Sequence, residues 1–410
     1  MPSSIVTVHS LLENGVLYVA DGNHGQYRPR RHEYVEEGTA IIKVPDIIEG
    51  EVDFENCQRI NDTALDRIRK GFGESEDTLL THKGTVGNVG WVRPNTEPFV
   101  ASPQTTIWRT LDKEIIDARY LYYYLNCRYF QTQVDAVKSE TDMADYVSLT
   151  NQRAFEIHIP DIAVQKEIVS TLSEIDNRRW ISKNITDTCL SLIDKHFEFQ
   201  FGQAVSKGMK GGEVPEKFRV GSILDLATLV PNGISTFDGE KPYIATADVD
   251  NMAIRPSLKK ITHNKRPGRA NIQPCLNSLW FAKMKASDKF MTYTKGNSEM
   301  IDRYILSTGF FGLTPKKDIH LIFLFASIRN SHFLWYKNSF ASGTTQEALN
   351  QESLASIPFV IPPENQLIEY CEFAFPLLDL MNAELVIYEE LTNLREMVFE
   401  QYISKKLRYG

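Results

Sequence analysis

Cysteine is scarce in this 410-residue chain, which holds only five. Cys57, Cys127, Cys189, Cys275 and Cys371 are scattered and form no C-x-x-C pair. Neither a disulfide framework nor a structural zinc site is therefore expected, and the pattern fits a reducing cytosol. Long hydrophobic runs are missing as well. The longest, Leu321 to Ile328, falls far short of the ~20 residues that cross a bilayer. The N-terminus lacks the charged-then-apolar pattern of a signal peptide, so the expectation is a cytoplasmic protein with no membrane partner. Catalytic signatures are absent too: the chain has no G-x-x-x-x-G-K-S/T nucleotide loop, no Asp/Asn/Ser-Pro-Pro-aromatic motif of amino-methyltransferases and no metal-ligand cluster.

What is present is a repeat. Leu149 to Phe201 and Leu349 to Leu407 share a layout: an Asn-Gln pair (Asn151-Gln152, Asn350-Gln351), a short apolar run, Ile-Pro (Ile159-Pro160, Ile361-Pro362), a Gln (Gln165, Gln366) and then a long helical pattern. The similarity extends backwards at a period near 200 residues. Gly38 to Asp46 is echoed by Lys241 to Asp248, Asp77-Thr-Leu-Leu by Asn277-Ser-Leu-Trp, Ala101-Ser-Pro-Gln by Leu306-Ser-Thr-Gly, and the Tyr120 run by the Leu321 run. Such a period is too long for a solenoid and suits a duplicated domain.

Charge is sorted along the chain. The net charge is −8, but residues 1–200 carry 21 basic against 31 acidic side chains, residues 201–340 carry 20 against 11, and residues 341–410 carry 4 against 11. A segment of +9 inside an acidic chain is a local field that attracts phosphates.

Short β-type runs (Ala40 to Pro45, Thr78 to His82, Phe99 to Ala101) alternate with turn signals, and helices are expected at Ala64 to Lys70 and Ala118 to Val137. This reads as an α+β fold. Two loops gather polar groups, Asp21 to Arg31 and His82 to Asn88. The glycines at 84, 87 and 90 are not spaced as G-x-G-x-x-G, and Pro94 discourages a following helix, so a hairpin is expected. His24 has no second ligand at metal spacing and reads as a hydrogen-bonding loop residue.

From Gln165 to Phe201 apolar residues recur at Ile168, Leu172, Ile175, Ile185, Cys189, Leu192, His196 and Phe199, with a slip near Trp180. That is an amphipathic helix about 55 Å long at 1.5 Å per residue. Its expected partner is the C-terminal helix with Leu378, Met381, Leu385, Tyr388, Leu391, Val398 and Tyr402, packed as an antiparallel coiled coil. Pro376 should kink or break that helix. Lys207 to Gly212 reads as a flexible hinge. In the second copy the aromatics Trp280, Phe290 and Tyr293, interleaved with basic residues, are expected in the core.

At the Asp21-Gly-Asn-His-Gly stretch, the Ile-Lys-Val-Pro-Asp46 strand, Ile159-Pro160 with Gln165, Leu172 and Asp176, and the repeated Ile361-Pro-Pro-Glu-Asn-Gln366, the chain resembles the specificity subunit of type I restriction-modification systems. Asp21-Gly-Asn-His has no clear counterpart near Asn232-Gly233. The resemblance covers nearly the whole length and implies two similar α/β target-recognition domains, each followed by a long helix. The boundaries expected are 1–161 and 205–345 for the domains and 162–204 and 346–410 for the helical regions. Each domain would read one half of a bipartite double-stranded DNA target, and the helices would fix the spacing. It also implies two methyltransferase (modification) subunits that use S-adenosylmethionine, and restriction/translocase subunits that use ATP and Mg, with no cofactor and no catalysis in this chain. Gln165, Ile168, Leu172 and Gln366 would then belong to the partner-docking region.

Side-chain chemistry nominates the DNA contacts. Asn and Gln pair bidentately with adenine, and Arg or Lys with guanine. The candidates in the first copy are Asn23, His24, Gln26, Arg28, Arg30, Lys83, Thr85, Asn88 and Gln104. In the second they are Asn232, Ser235, Thr236, Lys259, Lys260, Arg266, Arg269, Lys283, Lys285 and Lys289, most of them as phosphate contacts. Two other readings fit the same residues: the recognition subunit of a type IIB-like restriction-modification system, and a coiled-coil scaffold that binds no DNA.

Overall fold

A computed structural model describes residues 4–138, 145–255, 258–343 and 347–398. The chain divides into two compact units, residues 1–175 with 395–410, and residues 176–394.

Unit 1 begins with β1 (Ser4–Thr7), which pairs antiparallel with β8 (Glu156–Ile159) near the end of the unit. Between them lie β2 (Leu17–Asp21), β3 (Thr39–Ile42), β4 (Thr78–Thr81), β5 (Val89–Trp91), β6 (Phe99–Ala101) and β7 (Thr105–Thr110). One sheet runs β2-β7-β4-β5 and is extended by short strands at 51–52 and 47–48. The other centres on β3 and β6, parallel neighbours with Val100 opposite Ile41. β4 is buried along its whole length because a sheet or helix layer covers each face. Helix α1 (Ala118–Asn126), capped by Asp117 accepting from the Arg119 and Tyr120 amides, is buried almost all round. Its tyrosines keep their hydroxyls satisfied inside: Tyr120 donates to the His158 carbonyl at 2.8 Å and Tyr124 to the Glu156 carbonyl at 3.3 Å. The single helix expected from Ala118 to Val137 is two, the second being Arg128–Lys138. The hairpin expected at 82–88 is present, with Val89 opposite Leu80.

Unit 2 repeats the plan. β9 (Arg219–Gly221) pairs with β16 (Phe359–Ile361), as β1 pairs with β8. β10 (Ala227–Leu229), β15 (Phe310–Pro315), β12 (Ser278–Ala282) and β13 (Phe290–Tyr293) form one sheet in that order. β11 (Lys241–Ile244) and β14 (Ile305–Ser307) are the parallel pair of the other, with Tyr243 opposite Ile305. Helix α3 (His320–Arg329) takes the place of α1 and is buried from His320 to Ile328. Trp280, Phe290 and Tyr293 are core residues, each at most 3% exposed. A local device also repeats: the carboxylate of Asp46 accepts from the Lys43 amide at 2.7 Å, and that of Asp248 from the Ala245 amide at 2.8 Å. Each closes a single helical turn after its strand.

Two matches made along the sequence shift in the structure. Asn350 caps the helix Gln351–Ser356, but the residue that caps the equivalent helix Leu149–Ala154 is Ser148, so the two Asn-Gln pairs do not coincide. Left-handed backbone falls at Glu76 and Asn277, so Asp77 corresponds to Ser278.

The long helices are α2 (Ile162–Phe197) and α4 (Glu364–Val398). Within unit 2 they lie side by side and antiparallel. Arg178 bonds both carboxylate oxygens of Glu384 at 3.2 Å, Arg179 bonds Tyr388, and further along α2 the Ile193 carbonyl accepts from Tyr370. Pro376 does not break α4, which is continuous across it. The buried face of α2 departs from the expected stripe. Ile168, Leu172, Ile175 and Cys189 are inside, but Ile193, Phe197 and Phe201 continue it, while Leu192 is 43% and Phe199 86% exposed. A wider π turn at Glu198–Gly202 follows before the helix resumes as Gln203–Met209. The expected hinge at Lys207 to Gly212 is thus half helix. Gly208 is packed so that a Cβ would meet Val360 at 2.5 Å and Val214 at 2.6 Å. Tyr402 lies outside the described residues.

Candidate nucleic-acid interface

In unit 1, β2, β4 and β6 end, and β7 begins, at one edge of the sheets. Gly22 donates to the Thr105 carbonyl at 2.9 Å and Asn23 to that of Ala101 at 2.7 Å, which draws the Asp21 to Arg31 loop over this edge. Glycine is required at 22 because a Cβ would lie 1.9 Å from the Ser102 carbonyl oxygen. Asn23 is buried and folds the loop, its amide donating to the Tyr27 carbonyl at 2.8 Å. His24 contacts the Lys70 ammonium at 2.6 Å, so it is a hydrogen-bonding loop residue. The loop closes on Glu33, which Arg67 grips at 2.7 Å while also reaching the Arg28 carbonyl. The hydrogen bond from Arg67, then that from the Arg30 amide, hold the Glu33 carboxyl down at about 2.

This scaffold leaves Gln26, Arg28 and Arg30 exposed on the loop. Lys83, Thr85 and Asn88 are exposed on the hairpin and Gln104 on the turn before β7. Hairpin and turn are neighbours, since the His82 amide donates to the Gln104 carbonyl at 2.9 Å. Among the described residues the side chains of Gln26, Arg28, Lys83, Thr85 and Gln104 have no hydrogen bond or ion pair. The structure therefore brings the first-copy candidates to one edge, Asn23 and His24 as its internal supports.

Unit 2 sorts its candidates differently. Asn232, Ser235, Thr236, Lys259, Lys260 and Arg269 are exposed. Gly233 donates to the Asn271 carbonyl at 2.8 Å, returning the loop after β10 to the strand Ala270–Ile272. The remaining basic residues are engaged. Arg266 bonds the His263 carbonyl, and Lys285 pairs with Glu347 at 2.7 Å. The Lys289 ammonium donates to the Thr246 carbonyl. Lys283, expected as a DNA contact, turns inward to the Thr308 carbonyl at 2.8 Å and lies 4.5 Å from the centre of the Phe311 ring. Burial lowers its ammonium below the ordinary lysine value.

The docking expectation for Gln165, Ile168 and Leu172 is corrected, because all three are buried inside unit 1. The Gln165 amide donates to the Ile115 and Pro160 carbonyls at 2.8 and 2.9 Å, and its oxygen accepts from the Asp117 amide at 2.9 Å. This locks the start of α2 to the cap of α1. Gln366, at the start of α4, is half-buried.

Sequence reasoning passed over His82 and Lys337. His82 is 3% exposed, with its ring nitrogens 3.1 Å from the Val147 carbonyl and 3.2 Å from that of Pro103. Lys337 is 1% exposed and donates to the Ser287 carbonyl at 2.6 Å. His82 was legible as the polar residue that ends a buried strand. Lys337 had no signal, being a single lysine in an aromatic-rich stretch. Among the described residues no group of three His, Cys, Asp or Glu side chains could hold a metal ion, and no helix is long and apolar enough to cross a membrane.

The chain holds two sheet regions of similar topology, each followed by a long helix, and in unit 1 the candidate loops gather at a strand edge. Residues 34–188 match the sequence profile described as the type I restriction modification DNA specificity domain. Over 142 residues the chain is 25% identical to the type I restriction enzyme EcoBI specificity subunit of Escherichia coli. That stretch is 34% of this chain and 29% of the relative, so the match spans less than a third of the relative's length. The crystal structure of the type I restriction-modification system S subunit from M. genitalium shares the fold along nearly the whole length. It covers 98% of this chain and 96% of its own, with a TM-score of 0.58 at 14% identity. Residues 34–188 thus match a type I restriction-modification specificity domain, and the chain shares the fold of an S subunit along its length.

Proposed function

We propose that this chain selects the DNA target of a type I restriction-modification complex, each unit reading one half of a bipartite double-stranded sequence. The observation that carries the reading is the doubled topology, because two copies of one reading unit suit two half-sites. The exposed Gln26, Arg28, Lys83, Thr85, Asn88 and Gln104 supply the donor and acceptor chemistry for base edges. Lys259, Lys260 and Arg269 supply phosphate contacts. The chain itself is non-catalytic; two modification subunits using S-adenosylmethionine dock on it, together with ATP-dependent restriction subunits. The acidic residues of 341–410 and the exposed parts of α2 and α4 are the docking surface in this reading, and the paired helices set the spacer between half-sites.

Mapping methylated adenines in a genome that carries this subunit with its partners is the decisive measurement. The expected pattern is two short defined sequences separated by a fixed nonspecific spacer. A single undivided site, or no change when the subunit is deleted, rejects the reading. Replacing Arg28 and Lys83 by alanine should weaken one half-site alone, each lost bidentate contact removing ~1–3 kcal/mol of discrimination. A salt titration of the purified assembly on duplex DNA separates this reading from a scaffold. Binding should weaken steeply with salt, and neutralising Lys259 or Lys260 should lower the slope by about 1 without altering base preference.

A further inference from the structure

Both units put a basic side chain at the same point of the fold, and we propose that His82 and Lys283 are equivalent positioning residues. Each ties the end of its unit's central strand to the turn after the parallel strand, and so fixes the edge that reads DNA. The proposal rests on the DNA reading above.

The equivalence is set by the backbone. His82 follows Thr81, the last residue of β4, and Lys283 follows Ala282, the last of β12. The His82 amide donates to Gln104 and the Lys283 amide to Gly309, both at 2.9 Å. The His82 carbonyl accepts from Val147 and the Lys283 carbonyl from Leu349, again both at 2.9 Å. Inside this repeated frame the side chains do the same thing by different means. His82 Nε2 lies 3.2 Å from the Pro103 carbonyl oxygen, and Lys283 Nζ donates to the Thr308 carbonyl at 2.8 Å. Pro103-Gln104 and Thr308-Gly309 are the corresponding turns after β6 and β14.

Imidazole and alkylammonium share little except a donor N–H on an apolar body. Their convergence on the equivalent carbonyl of half-buried Pro103 and Thr308 indicates that the turn needs a donor there, since a carbonyl removed from much of the water and left without one is costly. The surroundings are not conserved between the copies. The Tyr146 ring and the Asp21 carboxylate, 5.5 and 3.8 Å away, flank His82, whereas the Phe311 ring flanks Lys283. Each turn leads to candidate DNA contacts. Gln104 is in the first, and the Thr308 amide donates to the carbonyl of exposed Arg269 at 2.8 Å in the second. Lys283 thus acts on DNA through the turn and not as a phosphate contact.

The test uses the assembled complex with four variants, Lys283→Met, Lys283→His, His82→Leu and His82→Lys, and two readouts. Hydrogen exchange follows the amides at 307–310 and at 102, 104 and 105, and methylation mapping follows base preference at each half-site. Lys283→Met should expose the 307–310 amides and reduce discrimination at one half-site by about tenfold, leaving the other unchanged. His82→Leu should do the converse. Lys283→His and His82→Lys should restore both readouts, a rescue that a merely volume-filling role does not give. Unchanged exchange in Lys283→Met, or equal weakening of both half-sites, overturns the proposal. If Lys283→Met does not fold, Lys283→His decides: native protection at 307–310 supports the shared role, and lost protection overturns it. A wild-type complex without any half-site preference rejects the DNA reading instead, while the exchange data still decide whether the two residues hold their turns.

Discussion

Arg109 and Asp77 show how much of unit 1 hangs on single polar pairs. Asp77 is fully buried, and Arg109 reaches its two oxygens through Nε and Nη2 at 2.7 Å each. Burial raises the Asp77 carboxyl above its ordinary value even against the pull of Arg109. Arg109→Met should leave a buried carboxylate unmatched and destabilise unit 1 by ~3–5 kcal/mol, read as a fall in the denaturation midpoint. Lys337 makes a prediction of the opposite kind. Burial pushes its ammonium down to about 8, partly offset by Asp288. The unfolded chain keeps that proton up to ~10.4. Between those values the unfolded state binds more protons, so stability should rise with pH by up to ~3 kcal/mol from this residue. The difference in melting profile between wild type and Lys337→Met from pH 7 to pH 10.5 measures it, and a constant difference across that range contradicts the assignment. None of this was visible in the sequence, where Asp77 stood out only as part of a repeated tetrapeptide and Lys337 as one more charge. Burial of a charged group is decided by what folds over it from far along the chain.

At the scale of elements, the helices were legible as such and their faces only in part. Periodicity located α2 to within three residues at its start, and the Ile168, Leu172, Ile175 and Cys189 stripe is buried. Beyond Cys189 the choice between Leu192-His196-Phe199 and Ile193-Phe197-Phe201 depends on the partner. Phe197 and Phe201 pack edge-on against Tyr370 of α4, with ring centroids 6.1 and 5.4 Å away. A pattern within one helix cannot contain that information. The pairing also changes what an insertion does. Four residues after Thr186 would lengthen α2 by ~6 Å and turn it by roughly 40°. Arg178 and Arg179 on one side of the insertion and Ile193 on the other all have partners on α4. One set must be lost, and the expected outcome is a clear drop in melting temperature for the single insertion. If the insertion melts like wild type, the antiparallel packing is not what stabilises unit 2. With the packing intact, the proposed reading expects a lengthened spacer between half-sites only when α4 is extended to match.

For the whole molecule, duplication was the most readable property. Five weak matches in one order suffice because an insertion or deletion in a core strand is not tolerated, so spacing persists after side chains have diverged. What stayed hidden was the exact register, since a shift of one residue changes few apolar letters but reverses which side of a strand faces inward. The proposed recognition chemistry was the least readable, because exposed loop residues such as Gln26, Arg28 and Lys83 are not fixed by packing. The sheet region of each unit begins and ends in one antiparallel pair, β1 with β8 and β9 with β16. In genetic terms both crossover points of a unit are spatial neighbours just ahead of its helix. On the proposed reading, a recombination event that replaces residues 8–155, or 222–358, exchanges a complete reading surface while leaving both flanking strands in place. A population carrying such subunits could acquire a new methylation pattern in one step, without passing through a folded but unspecific intermediate.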